Sequence, residues 1–271
     1  MTESVARLRG EQLTLGYGKY TVAENLTVEI PDGHFTAIIG PNGCGKSTLL
    51  RTLSRLMTPA HGHVWLDGEH IKHYASKEVA RRIGLLAQNA TTPDDITVQE
   101  LVARGRYPHQ PLFTHWRKED EEAVTKAMQA TGITHLADQS VDTLSGGQRQ
   151  RAWIAMVLAQ ETAIMLLDEP TTWLDISHQI DLLELLSELN REKGYTLAAV
   201  LHDLNQACRY ASHLIALREG KIVAQGAPKE IVTAELIERI YGLRCMIIDD
   251  PVAGTPLVVP LERTAPSTAN S

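Results

Sequence analysis

The sequence predicts an α/β fold in which a largely parallel sheet carries helices on its faces. Two observations predict it: four short apolar runs have the character of buried strands, and longer amphipathic stretches lie between them. The four runs are FTAIIG (35–40), IGLLAQ (83–88), AIMLLD (163–168) and TLAAVLH (196–202). Each run ends on a residue that can do chemistry, and open α/β sheets place ligands at the carboxyl ends of their strands.

The N-terminal part of the chain has a different pattern. The segments LRGEQLTLGYG (8–18) and AENLTVEIPDG (23–33) alternate between apolar and polar residues, which is typical of antiparallel strands. The segment VWLDGEHI (64–71) predicts a hairpin that turns at Asp67-Gly68. An antiparallel β subdomain is therefore expected before and beside the parallel sheet.

A helical insertion is predicted in the middle of the chain, because residues 96–160 are almost wholly helical in pattern. A further helix after residue 175 has one apolar face, formed by Leu182, Leu185, Leu186 and Leu189. The expected division is a core domain with its β subdomain at 1–89 and 156–245, the insertion at 90–155, and a C-terminal extension with a polar tail at 246–271.

Composition limits the class of protein. Hydrophobic residues make up 43% of the 271 residues and the formal net charge is −7 without a basic block, so nucleic acid is not the expected partner. The three cysteines, Cys44, Cys208 and Cys245, contain no C-x-x-C pair, which suits a reducing compartment. No apolar run approaches the ~20 residues that span a bilayer, so membrane association is expected only through a partner.

A strong phosphate-binding motif follows the first core strand. GPNGCGKST fits G-x-x-x-x-G-K-[ST] between a strand and a predicted helix, and its glycines let backbone N–H groups face phosphate oxygens. Lys46 can reach the β and γ phosphates, and the Ser47 hydroxyl can ligate Mg²⁺. The residues expected to bind nucleotide here are Gly40, Pro41, Asn42, Gly43, Cys44, Gly45, Lys46, Ser47 and Thr48.

Two adjacent acidic residues follow the third core strand, in the segment IMLLDEP. Asp168 can hold the coordination sphere of Mg²⁺, and Glu169 can orient and deprotonate an attacking water. Such a base typically contributes ~10²–10⁴-fold to a rate. A solvated turn is the alternative interpretation of two adjacent acids, but beside a phosphate-binding loop they indicate a nucleoside triphosphatase.

A second anion site is predicted at LSGGQRQR (144–151), about a hundred residues after the first. Ser145 is a good N-cap, and Gly146-Gly147 leave N–H groups uncovered before a helix expected from Gln148 onward. Such a helix start favours an anion by only ~0.3–1 kcal/mol. With no lysine beside it, the motif has the character of half a site. The simplest arrangement is a head-to-tail homodimer in which each copy closes on the γ phosphate held by the other.

Taken together, GPNGCGKST, LSGGQ, LLDEP and VLHD resemble the motif set of ABC-type ATPases, over about residues 5–245. The resemblance implies a P-loop (RecA-like) ATPase core with an N-terminal antiparallel β subdomain and an inserted α-helical subdomain. It also implies ATP and Mg²⁺ as ligands. The implied catalytic residues are Glu169, His202 and Gln88, and the implied Mg²⁺ ligands are Ser47, Gln88 and Asp168.

The same resemblance assigns roles to single residues. Tyr17 matches the aromatic residue that stacks on adenine, Gln88 matches the glutamine that contacts Mg²⁺ and water, and His202 matches the histidine that contacts the γ phosphate. Trp173 is bulkier than the small residue often found at its position in the loop that crosses the dimer interface. The residues implied to act on the nucleotide of the other copy are Ser145, Gly146, Gly147, Gln148 and Asp175.

The segments ARGRYPHQPLF (103–113) and EPTTWLDISHQ (169–179) are similar to the subgroup that imports iron–siderophore complexes and vitamin B12. This implies a homodimer beneath two integral-membrane permease subunits, at the cytoplasmic face of a bacterial inner membrane. A periplasmic siderophore-binding protein would act indirectly, and the helical insertion with the segment after Gln88 would dock the permease. The alternatives are an ABC-type switch ATPase without transport, and a stand-alone P-loop kinase or GTPase.

Four histidines in HGHVWLDGEHIKHY invite a metal-site hypothesis, since imidazole is a common ligand of transition metals. Turns and an exposed strand are the expected surroundings of these side chains. A solvated surface hairpin is therefore the favoured interpretation. The histidines concerned are His61, His63, His70 and His73.

Overall fold

The computed structural model describes residues 6–88, 95–110 and 116–261. The strands are β1 Leu8–Tyr17, β2 Tyr20–Ile30, β3 Phe35–Ile39, β4 His61–Leu66, β5 Glu69–His70, β6 Ile83–Leu86, β7 Ile164–Leu167, β8 Thr196–Val200, β9 His213–Arg218, β10 Lys221–Gly226, β11 Cys245–Asp249 and β12 Pro256–Pro260. The helices are α1 Lys46–Leu53, α2 Ser76–Ala80, α3 Val98–Ala103, α4 Lys118–Ala130, α5 Gly146–Ala159, α6 Ile176–Lys193, α7 Leu204–Tyr210, α8 Pro228–Ile231 and α9 Ala234–Tyr241. Short 3-10 segments lie at Ile71–His73, Arg104–His109, Thr134–Leu136 and Val141–Thr143.

The four predicted core strands, β3, β6, β7 and β8, lie in one sheet of order β10-β9-β3-β8-β7-β6. All neighbours in it are parallel except the edge strand β10, which runs antiparallel to β9. Every residue of β3, β7 and β8 is buried. The apolar runs in these strands are continuous because both faces of the parallel sheet are covered, by helices or by the second sheet.

The predicted antiparallel subdomain is confirmed as a sheet of order β2-β1-β4-β5. The hairpin at Asp67-Gly68 is also confirmed, and both residues have a positive φ, of 50° and 82°. The inner face of this sheet packs with α1 and with one face of the parallel sheet in a single hydrophobic cluster, represented by Leu15, Leu50 and Leu166.

The insertion is helical where the structure describes it, with α3, α4 and α5 packed on one another. Its apolar residues, such as Val98 and Val124, join Met165 of β7 in one hydrophobic cluster on the other face of the parallel sheet. Helix α5 leads directly through residues 160–163 into β7, so it is the crossover connection of that strand. Residues 89–94, the first part of the segment expected to dock a permease, lie outside the described residues.

The C-terminal extension contains a hairpin that the sequence analysis did not identify. Strands β11 and β12 pair in antiparallel register. The hairpin is attached to α7, because Asn205 Nδ2 donates to the carbonyl oxygen of Val258 at 3.3 Å and the Val258 N–H donates to Asn205 Oδ1 at 2.8 Å. The polar tail from residue 262 lies outside the described residues. Among the described helices, none is long and apolar enough to cross a membrane.

Candidate functional site

A cleft of about 540 Å³ at the carboxyl ends of the parallel strands brings together most of the residues predicted to act within one copy. It is where the sequence analysis expected ligands, because β3, β6, β7 and β8 all end beside it. The residues that line it are Tyr17, Tyr20, Val22, Asn42, Gly43, Gly45, Lys46, Ser47, Thr48, Gln88, Glu169 and His202.

The phosphate-binding loop has a backbone that glycine makes possible. Gly40 has φ +147°, and a Cβ on it would overlap the carbonyl oxygen of Leu217. Gly45 has φ +104° and caps α1 from the left-handed region, where L side chains are strained. Lys46 is only 5% exposed, and its Nζ donates to the carbonyl oxygens of Gly40 at 2.8 Å and Pro41 at 2.9 Å. The loop is thus held in shape by its own lysine.

Cys44 contributes to this loop differently from its neighbours. Its side chain is 4% exposed and belongs to the hydrophobic cluster under the antiparallel sheet. Burial raises the pKa of its thiol, although the nearby Lys46 acts in the opposite direction. Cys44 can therefore offer a phosphate only its backbone.

Two tyrosines stand at the mouth of the cleft. Tyr17 is 51% exposed, and its hydroxyl lies 3.5 Å from Thr48 Oγ1. Tyr20 is 72% exposed and lines the same cleft. Both rings have exposed surface on which a flat base could stack, so Tyr20 joins Tyr17 as a candidate for that role.

Asp168 lies beside the cleft, in contact with Ser47, with the properties of a metal ligand. It is 2% exposed, and its Oδ1 accepts a 2.7 Å hydrogen bond from Ser47 Oγ. Its Oδ2 is buried without a hydrogen-bond partner in the described structure. Burial raises the pKa of this carboxyl, and Glu169 adds to the rise. An unpartnered buried carboxylate oxygen beside a serine hydroxyl fits the hard oxygen ligands that Mg²⁺ prefers.

Glu169 is held by three side chains. Gln88 Nε2 donates to its Oε2 at 2.8 Å, and Thr172 Oγ1 donates to the same oxygen at 3.1 Å. His202 Nε2 lies 2.9 Å from its Oε1. The backbone of Glu169 has φ +55°, a conformation that non-glycine residues rarely adopt and that is often found at functional sites. The three predicted catalytic residues are therefore in direct contact.

The segment of the second predicted anion site forms a helix start, as expected, and lies outside this cleft. Ser145 is extended and accepts the N–H of Gln148 on its side chain, while the Ser145 N–H donates to Gln148 Oε1, which completes a capping box. The helix begins at Gly146 and not at Gln148, because Ser145 takes the cap position and both glycines can then adopt helical angles. Gly146 and Ser145 are exposed, whereas Gly147 is buried.

Asp175 caps α6, in the loop predicted to cross the dimer interface. Its Oδ1 accepts the N–H of His178 at 2.9 Å and lies 2.7 Å from His178 Nδ1. Backbone donation from His178, followed by its side chain, lowers the pKa of Asp175. Trp173 in the same loop is 92% exposed with φ +68°.

The histidines of the β4–β5 region lie on the surface hairpin that the sequence analysis favoured. His63 Nδ1 and His70 Nε2 are 2.9 Å apart. The Lys72 N–H donates to His70 Nδ1, so neutral His70 carries its proton on Nε2 and donates to His63. Within 6–88, 95–110 and 116–261, no group of three or more His, Cys, Asp or Glu side chains is arranged to hold a metal ion.

A phosphate-binding loop, a buried acid and an oriented base on a parallel sheet define a P-loop nucleoside triphosphatase. The family model described as "ABC transporter" matches residues 23–172, more than half of the chain, and the chain belongs to that family as an ATP-binding member. It is 98% identical, over the full length of both chains, to the ferric enterobactin transport ATP-binding protein FepC of Escherichia coli K12.

Two solved structures have the same fold. One is an inward-facing putative metal-chelate type ABC transporter, 29% identical with TM-score 0.82, covering 96% of this chain and 98% of the other. The other is a dimeric bacterial ABC transporter cassette, 28% identical with TM-score 0.71, covering 81% of this chain and 98% of the other. The sequence prediction of an ABC-type ATPase fold is confirmed.

Proposed function

We propose that this chain hydrolyses ATP to drive uptake of a ferric siderophore, foremost ferric enterobactin, through a membrane permease. The proposal rests on a combined observation. The residues expected for hydrolysis line one cleft, and the chain is 98% identical to a protein named for ferric enterobactin transport. The cleft supports the hydrolysis of ATP, and the identity supports ferric enterobactin as the cargo.

The residues of the cleft divide the chemistry among them. Lys46 and the glycine loop bind the phosphates, Tyr17 with Tyr20 takes the base, and Glu169 takes a proton from the attacking water. Ser47, Asp168 and Gln88 would hold Mg²⁺, which supplies neutralisation of charge on the phosphate oxygens. His202 and Gln88 fix the two oxygens of Glu169, so the base is oriented before nucleotide arrives.

A homodimer is the working form in this proposal. The signature turn at Ser145-Gly146 does not line this cleft, and both residues are exposed, so the turn is accessible to a second copy. Beside it stand the exposed apolar side chains of Trp173 and Ile176, which are 92% and 73% exposed. Exposed apolar side chains of this kind often mark a protein contact. The cassette named above, which has the same fold, is itself dimeric, and this supports a homodimer.

A groove of about 530 Å³ between the core and the insertion supports permease docking. Its walls come from the end of α1, from α2 and from the segment 104–108, and it is mainly apolar. Leu56 and Tyr107 on its rim are 67% and 66% exposed. Two permease subunits bound there would hold the dimer at the cytoplasmic face of the inner membrane, with a periplasmic siderophore-binding protein on the far side.

The test is uptake of labelled ferric enterobactin in cells that lack this chain. The native chain is expected to restore uptake, and Glu169→Gln is expected to fail while still binding ATP, because loss of a general base costs ~10²–10⁴-fold in rate. Leu56→Glu is expected to reduce uptake while ATP binding by the purified chain stays unchanged.

Other outcomes select the alternatives. Restoration of vitamin B12 or another siderophore's uptake, in place of enterobactin, would keep the mechanism and change the cargo. Absence of any transport defect, with ATP hydrolysis intact, would favour an ABC-type switch ATPase. Equal turnover of GTP and ATP would favour a stand-alone P-loop enzyme.

A further inference from the structure

The imidazole of His178 lies between two motifs that the proposed function assigns to the contact between copies. On one side, its Nδ1 is 2.7 Å from Oδ1 of Asp175. On the other side it covers Gly147, where an added Cβ would lie 2.8 Å from Cγ of His178 and would overlap its Cδ2. Real Cβ atoms essentially never come so close, so a side chain at Gly147 would require the His178 ring to move.

The neighbouring glycine is different. A Cβ on Gly146 would meet the carbonyl oxygen of Trp173 at 3.6 Å and Leu174 Cδ2 at 3.9 Å, which are ordinary contacts. Packing within the chain therefore does not require glycine at Gly146, and that residue is exposed. Gly146 is therefore exposed to solvent, whereas Gly147 packs against the ring of His178.

The contact continues along both helices. Arg151 of α5 and Asp181 of α6 form an ion pair of 3.2 Å about one turn beyond Gly147 and His178. The start of α5 thus contacts the start of α6 at two successive turns. The Arg151–Asp181 pair is the weaker contact, because its side chains are 26% and 53% exposed, so the packing of His178 on Gly147 is the main link between the signature turn and the loop 173–175.

We infer that His178 is a positioning residue for the signature turn. By hydrogen bonding to Asp175 and packing on Gly147, it makes the turn and the loop 173–175 one unit, which reaches the nucleotide of the second copy together. This inference rests on the proposed function, because both motifs act there on a nucleotide bound by the partner. His178 itself does not line the cleft of its own chain.

The first test uses steady-state ATP hydrolysis by the assembled complex of this chain with its permease. His178→Ala is expected to lower kcat by on the order of tenfold to a hundredfold, since a misplaced group can cost that much. KM for ATP is expected to stay unchanged, because the cleft that binds it is untouched. His178→Asn keeps a donor toward Asp175 and is expected to recover most of kcat.

The matched control is His73→Ala. It removes a histidine that also contacts a carboxylate, with His73 Nδ1 3.2 Å from Glu69 Oε2, but on the exposed hairpin. This variant is expected to keep native kcat and KM. Thermal melting of every variant shows whether a loss of activity accompanies a loss of folding, and His178→Asn keeps the test open if His178→Ala is unstable.

The second test uses mixed dimers with differently tagged copies. When Glu169→Gln and His178→Ala are in the same chain and the other chain is native, each composite site lacks either its base or its positioned turn, and activity is expected to fall to the level of His178→Ala or below. When they are in opposite chains, one of the two sites keeps both parts and stays active.

The reverse pattern would overturn the inference, because it would mean that His178 acts on the base of its own chain. So would a kcat for His178→Ala equal to that of His73→Ala, or a loss explained by melting alone. Failure of the native complex to hydrolyse ATP would instead refute the proposed function.

Discussion

Thr172 is a single side chain on which the orientation of the base depends, through its 3.1 Å hydrogen bond to Glu169 Oε2. Thr172→Val removes this donor with little change in volume. We expect kcat to fall by roughly tenfold, about 1.4 kcal/mol, while nucleotide affinity is unchanged. Steady-state hydrolysis with fluorescent-nucleotide binding checks this, and Thr172→Ser should behave like the native chain. A native kcat in Thr172→Val would mean that Gln88 and His202 suffice.

The buried carboxyl of Asp168 predicts a pH effect on stability. Burial raises the pKa of Asp168 in the folded chain above its pKa in the unfolded chain. The ionised carboxylate therefore lowers the free energy of unfolding above the folded-state pKa, and this loss disappears as the pH falls below the unfolded-state pKa. Asp168→Asn should therefore raise the Tm of the metal-free chain at neutral pH, by about 2 to 4 °C for each kcal/mol recovered.

Differential scanning calorimetry across a pH series checks the Asp168 prediction. The gap in Tm between variant and native chain should narrow in acid, and MgATP should raise the Tm of the native chain more than that of the variant. Asp249→Asn on an exposed strand is the control and should show neither effect. A lower Tm for Asp168→Asn at neutral pH would contradict the argument.

At the scale of single residues, the sequence predicted the site residues that stand in short motifs. It did not predict the residues whose role depends on a tertiary contact. Lys46, Asp168 and Ser145 stand in short motifs whose spacing carries their chemistry. Thr172 and His178 have no such signal, because each matters only through a partner brought near by folding. Their positions beside Glu169 and Asp175 in the sequence were the only available hint.

At the scale of the elements, a buried ion pair links two parts of the insertion. Arg106 Nε donates to Asp120 Oδ1 at 2.9 Å, with both side chains less than a tenth exposed, and joins the 104–109 segment to α4. Burial alone would raise the pKa of Asp120, but donation from Arg106 and from the Arg117 N–H holds it below its usual range. The pair therefore stabilises the folded chain at pH values above the unfolded-state pKa of Asp120. This stabilisation is lost as the pH falls through the folded-state pKa of Asp120.

Removing one partner of this pair should destabilise the chain. Asp120→Ala leaves the buried Arg106 Nε without its acceptor, while Glu161 Oε2 stays 2.7 Å from Arg106 Nη1, and we expect the free energy of unfolding to fall by about 2 kcal/mol. Urea denaturation followed by circular dichroism measures it. Lys118→Ala, which removes an exposed contact to Glu122, should change it by less than about 0.5 kcal/mol. If the two variants are equally stable, the buried pair is not what holds the insertion.

Elements were predicted well where one periodicity dominates. The fully buried strands β3, β7 and β8 show a nearly continuous apolar run, and the half-buried strands β1 and β2 show an alternating pattern, so all five were identified. Strands β11 and β12 were not identified, since their short apolar runs stand in a C-terminal region otherwise judged polar. The turn Glu219-Gly220 between β9 and β10, with φ of +49° and +73°, was a usable hairpin signal that the sequence analysis did not exploit.

For the whole molecule, association of two copies is expected to depend on Trp173. Its 92% exposed ring is a large apolar surface beside the signature turn, and buried aromatic residues dominate many interfaces. In a Glu169→Gln background, Trp173→Ser should weaken ATP-dependent dimerisation by about tenfold or more, as measured by analytical ultracentrifugation.

The matched control for Trp173 is Val252→Ser, which removes a 79% exposed apolar side chain from the turn of the C-terminal hairpin. It should dimerise like the parent. If both variants dimerise alike, Trp173 is not part of the contact between copies, and its large exposed side chain must serve another purpose.

Helix α5 begins at the signature turn and leads into β7, whose end carries Asp168 and Glu169. The fourteen residues of the helix, about 21 Å in length, separate the turn from the acids along the chain. In space they are close, because Gly146, Asp168 and Glu169 line one pocket of about 280 Å³. A shift of the signature turn would therefore change the shape of a pocket that the base of the same chain also lines.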